Sequence, residues 1–132
     1  MTIAIDFDGT CVTHEFPMIG KDINAVPVLK ELTEKGHYLI LFTMRSNVII
    51  DGEQKNYLTD SVKWFVDRKI PLYGIQSNPT QDEWTSSPKA YAQLYIDDAA
   101  LGCPLIYDKT YSDRPFVDWI RVREMLVEHG IL

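Results

Sequence analysis

The segment Ile3-Ala4-Ile5-Asp6-Phe7-Asp8-Gly9-Thr10 constrains this chain most tightly, because an apolar strand runs into two carboxylates one residue apart and then reaches a glycine. Residues i and i+2 of a strand point to the same side, so the spacing predicts that Asp6 and Asp8 face one small volume at the strand's carboxyl end. Asp and Gly are also ordinary turn formers, and a bare D-x-D-G is equally compatible with a solvated acidic turn. The partners supplied by the rest of the chain decide between these readings.

Four more apolar runs follow at wide spacing: Tyr38-Leu39-Ile40-Leu41-Phe42, a weak Leu72-Tyr73-Gly74-Ile75, Leu94-Tyr95-Ile96 and Leu105-Ile106-Tyr107. Runs without polar alternation suit parallel strands covered on both faces. Helical patterns lie between them. Ala25, Val28, Leu29 and Leu32 repeat at i, i+3, i+4, i+7, with Pro27 tolerated in a first turn and Gly36 as a stop. Leu58, Val62, Phe65 and Val66 repeat the template within residues 55–69, and residues 116–129 form a last helix that is apolar on more than one side. The alternation predicts an α/β fold: a three-layer, Rossmann-like domain with a mostly parallel five-stranded sheet. Ligands of such sheets bind beyond the carboxyl ends of the strands, and the loops 44–54 and 76–88 are expected over that rim.

The length of 132 residues fits a single domain spanning 1–132, with no room for a second substrate-binding domain. No apolar stretch approaches the roughly 20 residues of a membrane span. The chain opens on strand-like sequence without the pattern of a signal peptide, so a cytoplasmic location is expected. Cys11 and Cys103 are far apart, with no C-x-x-C, which suggests neither a disulfide scaffold nor a zinc site. A net charge of -6 argues against general nucleic-acid binding. An acidic protein that handles an anion must offset its own field locally, and a divalent cation is the usual device.

The second run leads into Thr43-Met44-Arg45, so a hydroxyl stands where the chain leaves the sheet and could hold a phosphate oxygen together with nearby backbone N–H groups. The fourth run ends in Asp97-Asp98, a second carboxylate pair directly after a strand. Four carboxylates at one rim would repel one another unless a cation sat between them, and oxygen ligands favour Mg²⁺. Lys89, just before the fourth run, offers a positive charge at the same rim.

With these four elements in this order, the chain resembles the haloacid dehalogenase superfamily of phosphohydrolases. Asp6-Phe7-Asp8-Gly9-Thr10 is similar to the family's first motif, Thr43 to the second, Lys89 to the third and Asp97-Asp98 to the fourth. The resemblance implies a Mg²⁺-dependent phosphatase in which Asp6 attacks phosphorus and Asp8 serves as general acid and then base. It implies that Asp6, the Asp8 main-chain carbonyl, Asp97 and Asp98 hold or assist the metal, while Thr43 and Lys89 share the phosphoryl oxygens. Lys55 and Lys63 compete with Lys89 for its role. Because members often carry an inserted cap domain, and only short segments follow the first motif and the later strands here, the resemblance is to a capless member. An open site of that kind is covered by a large phosphorylated substrate or by a second subunit, and the apolar last helix favours a homo-oligomer.

Arg45 is read either as a contact for a second anionic group or as a surface residue. His14 belongs to the short segment that forms a flap in the family, and Trp84 either stacks on a substrate ring or anchors its loop. Two rival functions use similar parts. A phosphoacceptor receiver domain has its adjacent acidic pair after strand one and its phosphorylated aspartate after strand three, whereas here the adjacent pair comes late and Ile75-Gln76-Ser77-Asn78 holds no aspartate. A retired binding module is disfavoured because Asp6 and Asp8 are both present.

Overall fold

Ile3, Ala4 and Ile5 are all buried, as are Leu39, Ile40 and Leu41, so both faces of the two central strands are covered. The structure is a computed structural model and describes residues 1–132. Strand β1 (Thr2–Ile5) is followed by helix α1 (Ala25–Glu34) and strand β2 (Tyr38–Leu41). A hairpin of β3 (Asn47–Ile50) and β4 (Glu53–Asn56) leads into helix α2 (Tyr57–Asp67). Strands β5 (Gly74–Ile75), β6 (Leu94–Ile96), β7 (Leu105–Ile106) and β8 (Phe116–Val117) precede helix α3 (Trp119–Glu128). The main sheet has four parallel strands in the order β5-β2-β1-β6. The chain is therefore an α/β protein, and no helix is long and apolar enough to cross a membrane.

The expected fifth parallel strand is absent from this sheet. Residues 97–104 are too short a connection for the crossover of a dozen or more residues that a parallel neighbour requires. Leu105 and Ile106 instead pair antiparallel with Val117 and Phe116, closed by a turn in which Tyr111 and Ser112 donate to the Asp108 carbonyl. Phe116 and Val117 thus belong to a strand, and α3 starts only after Asp118, whose side chain caps the Arg121 N–H at 3.1 Å.

The segment 44–54, expected as a loop, contains most of a two-stranded hairpin. Its turn is Asp51-Gly52, with φ of 51° and 76°, the left-handed pair that a tight hairpin needs. Between the helices and the sheet the core gathers Leu29 and Leu32 of α1, Trp64 and Phe65 of α2, and Trp119, Val122 and Leu126 of α3. Ile120 and Val127 remain exposed on α3, in line with a helix apolar on more than one side.

Candidate active site

The order β5-β2-β1-β6 means that the chain builds the sheet outward from β1 on one side and later returns to its other side with β6. The carboxyl ends of β1 and β6 therefore flank a topological switch point, where a crevice opens in sheets of this kind. Asp6 follows β1 directly and its N–H donates to the Ile96 carbonyl at 3.1 Å, which places it beside Asp97 and Asp98. Ligand atoms of Asp6, Asp97 and Asp98 all lie within 4.8 Å of one another.

Phe7 is fully buried and packs edge-on against Trp64 at 5.6 Å, anchoring the chain between the two aspartates of the motif. The turn follows at once, with Thr10 and Cys11 N–H groups donating to the Phe7 carbonyl at 3.0 and 2.8 Å. Gly9 has φ +84°, and a Cβ there would stand 2.0 Å from His14 Nε2 and 2.6 Å from Asp98 Oδ2. The glycine is required both by its backbone angle and by the closeness of the site behind it. Thr10 Oγ1 donates to Asp6 Oδ2 at 2.9 Å and accepts from the Asp98 N–H at 3.0 Å, joining the ends of β1 and β6 through one hydroxyl. His14 Nε2 lies 2.7 Å from Asp98 Oδ2, so the segment after the motif reaches back to the acidic cluster.

Burial, the hydrogen bond with Asp98 and the charge of Asp97 push the Asp6 carboxyl up from 3.8 to about 8. Burial also raises Asp97, against the opposing pull of the Ala99 N–H. Asp98 is half-buried, which opposes ionisation, yet its hydrogen bonds with Asp6 and His14 hold it below the usual carboxylate range. Of the three carboxyls, Asp6 is thus the one whose protonated form the fold favours most. Three hard oxygen donors that cannot all ionise without a counter-charge suit a divalent cation such as Mg²⁺.

Asp8 does not join this cluster through its side chain. Its carboxylate receives a bidentate pair from Arg45, Nε to Oδ2 and Nη2 to Oδ1, both at 2.8 Å. Arg45 is buried, and its other donors reach the main-chain carbonyls of Pro17, Met18 and Tyr57. All five guanidinium N–H donors are thus used internally, which leaves none for a second anionic group on a substrate.

Thr43 stands at the end of β2 with its backbone clamped by Gln76, whose side chain accepts from the Thr43 N–H at 2.9 Å and donates to the Thr43 carbonyl at 2.7 Å. Its hydroxyl accepts from the Arg45 N–H at 3.1 Å and keeps its own hydrogen free to donate. Lys89 is exposed, with Nζ 5.8 Å over the Tyr95 ring, which in turn packs on Phe42 at 6.1 Å. The competing lysines are paired elsewhere, Lys55 with Glu53 at 3.0 Å and Lys63 with Asp67 at 2.7 Å. Trp84 is exposed and meets Tyr91 edge-on at 5.3 Å, within its own loop.

That loop is organised by Gln81, which is 1% exposed. Its carbonyl oxygen accepts from the Asn78 and Tyr91 N–H groups, and its amide donates to the Ser87 and Lys89 carbonyls. Substituting Gln81→Leu keeps the bulk and strips four backbone groups of their partner, at a cost of about 2 kcal/mol. We expect a melting temperature several degrees lower and faster tryptic cleavage after Lys89; cleavage at the native rate would show that the loop is held by other means.

Gln76, Gln81, Thr10 and the Arg45 fork were not assigned by the sequence reading. Thr10 carried a signal, because it stands in the opening motif. The two glutamines carried none, since their partners are backbone groups brought near only by folding.

Fold and site together define an α/β protein with a carboxylate cluster at the carboxyl ends of its first and last parallel strands. The solved structure of a conserved protein from Bacteroides thetaiotaomicron is similar to this chain, with 34% sequence identity and a TM-score of 0.74 over 98% of this chain and 91% of that one. The chain belongs to that protein's family. No family model matches it, and no curated protein does.

Proposed function

We propose that this protein is a Mg²⁺-dependent phosphohydrolase of the haloacid dehalogenase type, with a Rossmann-like domain that carries no cap and acts on a phosphorylated substrate through an aspartyl-phosphate. The observation that carries the reading is the gathering of Asp6, Asp97 and Asp98 at the carboxyl ends of β1 and β6, with ligand atoms within 4.8 Å. Asp6, Asp97 and Asp98 would hold the cation by their carboxylates, and Asp8 by its main-chain carbonyl, since the Asp8 carboxylate is engaged by Arg45. Bound there, Mg²⁺ would neutralise the cluster and offset the charge of the phosphoryl group.

A carboxylate oxygen of Asp6 attacks phosphorus, the bond to the leaving oxygen breaks, and Asp8 gives that oxygen its proton. Asp8 then takes a proton from water, the water oxygen attacks the aspartyl-phosphate, and the bond between phosphorus and Asp6 breaks to release inorganic phosphate. The free hydroxyl hydrogen of Thr43 suits a phosphoryl oxygen. Lys89 has no carboxylate partner and supplies the positive charge on the loop before β6.

The test is hydrolysis of 4-nitrophenyl phosphate by the purified chain, with Mg²⁺, with excess EDTA, and with Mg²⁺ restored. Turnover that vanishes in EDTA and returns with the metal is the expected result. Undiminished turnover in EDTA would contradict the mechanism.

A further inference from the structure

An arginine that is 2% exposed yet forms no part of the acidic cluster needs an explanation of its own. Arg45 lies between the rings of Phe7 and Phe16, its guanidinium carbon 5.1 Å from each centroid. Two of its hydrogen bonds hold Asp8, two reach the carbonyls of Pro17 and Met18 in the strap that follows the opening motif, and one reaches Tyr57 at the start of α2. Phe16 and Tyr57 also pack edge-on at 5.0 Å, so the strap and α2 meet around the same guanidinium. One side chain therefore joins the strap and the start of α2 to the second aspartate of the motif.

We propose that Arg45 is the positioning residue for Asp8: its fork fixes where the Asp8 carboxyl points and ties that direction to the seating of the strap, residues 15–19. The inference rests on the phosphohydrolase reading given above. A planar fork that bonds both carboxylate oxygens removes the rotation about the Cβ–Cγ bond that a single contact would leave. It takes one lone pair on each oxygen, so the second remains available for the proton that moves to the leaving oxygen. The Asp8 side chain is 16% exposed against 1% for Arg45, so the fork does not seal Asp8 from solvent as it is sealed itself. Arg45 meets no reacting atom, and its effect is exerted wholly through Asp8.

A misdirected general acid harms reactions in proportion to how badly the leaving group needs its proton. Arg45→Lys keeps the charge but cannot span both oxygens. The experiment measures kcat and KM with Mg²⁺ on 4-nitrophenyl phosphate, phenyl phosphate and an alkyl phosphate, for the native chain, Arg45→Lys, Phe16→Ala, Asp8→Asn and Arg45→Lys/Asp8→Asn. For Arg45→Lys we expect kcat to fall by about 10²-fold on the alkyl ester and by less than about 10-fold on the nitrophenyl ester, with KM nearly unchanged. Phe16 is exposed, so Phe16→Ala should fold and should tilt the leaving-group dependence the same way by a smaller amount. In the Asp8→Asn background, Arg45→Lys should remove nothing further.

Equal losses on all three esters, a change confined to KM, or full additivity with Asp8→Asn would overturn the proposal. If Arg45→Lys fails to fold, Phe16→Ala decides, and an unchanged leaving-group dependence there counts against it. A native chain that hydrolyses no ester would instead remove the phosphohydrolase reading itself, whereas an active native chain with indifferent variants removes this inference alone.

Discussion

Asp6→Asn is expected to lose turnover by about 10⁴-fold or more while making the metal-free protein more stable at pH 8. The loss follows from the nucleophile: an amide oxygen forms no stable ester with phosphorus. The gain follows from linkage. Folding raises the Asp6 carboxyl from 3.8 to about 8 through burial and the neighbouring Asp98 and Asp97, so the fold favours its protonated form. Its contribution to stability is complete below 3.8 and is lost as pH rises toward about 8. Asparagine cannot ionise, and its amide can donate toward Asp98 as the protonated carboxyl does. In EDTA the native melting temperature should fall between pH 5 and pH 8. Asp6→Asn should escape that part of the fall, ending higher at pH 8 by on the order of 5 °C. Mg²⁺ should narrow the difference, because the ionised native cluster binds it and the variant cluster has lost a charge. Equal melting temperatures in EDTA at pH 8 would show that Asp6 is not held protonated.

Gly9→Ala is the second large effect expected. The added methyl would stand 2.0 Å from His14 Nε2 and 2.6 Å from Asp98 Oδ2, at a backbone φ of +84°. The angle and the crowding together cost about 3 kcal/mol or more, equivalent to a fall of roughly 10 °C in melting temperature. The substitution should also weaken Mg²⁺ binding, because the carboxylate that must move belongs to the cluster. His14→Ala removes one of the two obstructions, so the double variant should recover part of the stability and leave the backbone term unrelieved. A Gly9→Ala protein as stable as the native one would mean that the turn is looser than its geometry implies.

How much of this was legible beforehand depended on whether a residue's role was local. β1, β2 and β6 were readable because strands covered on both faces must be apolar without alternation, and Asp6, Thr43 and Asp97-Asp98 follow such strands directly. Leu105-Ile106 has the same composition, but the short connection before it forbids a parallel neighbour, and loop length was a signal the apolar pattern concealed. The Asp51-Gly52 turn was equally visible, flanked by Val48-Ile49-Ile50. The side chains of Asp8 and Asp6 were expected to share a volume, since their spacing places them on one side of an extended chain. The Asp8 carboxylate is taken up by the Arg45 fork and not by the cluster of Asp6, Asp97 and Asp98, and no spacing rule announces a buried guanidinium contributed by the turn after β2. Lys89 is the opposite case: its position along the chain was legible, while its seat over Tyr95 depends on Gln81 and the fold of its loop.

The central claim is that Asp6 becomes phosphorylated during turnover. Protein mixed with 4-nitrophenyl phosphate and Mg²⁺ is quenched in acid, reduced with borohydride, and mapped by peptide mass spectrometry. An acyl phosphate at Asp6 is reduced to homoserine, so the account predicts homoserine at position 6 in the turning-over sample and aspartate there when substrate or Mg²⁺ is withheld. Steady hydrolysis with position 6 unmodified, or with the modification at another carboxylate, would contradict it.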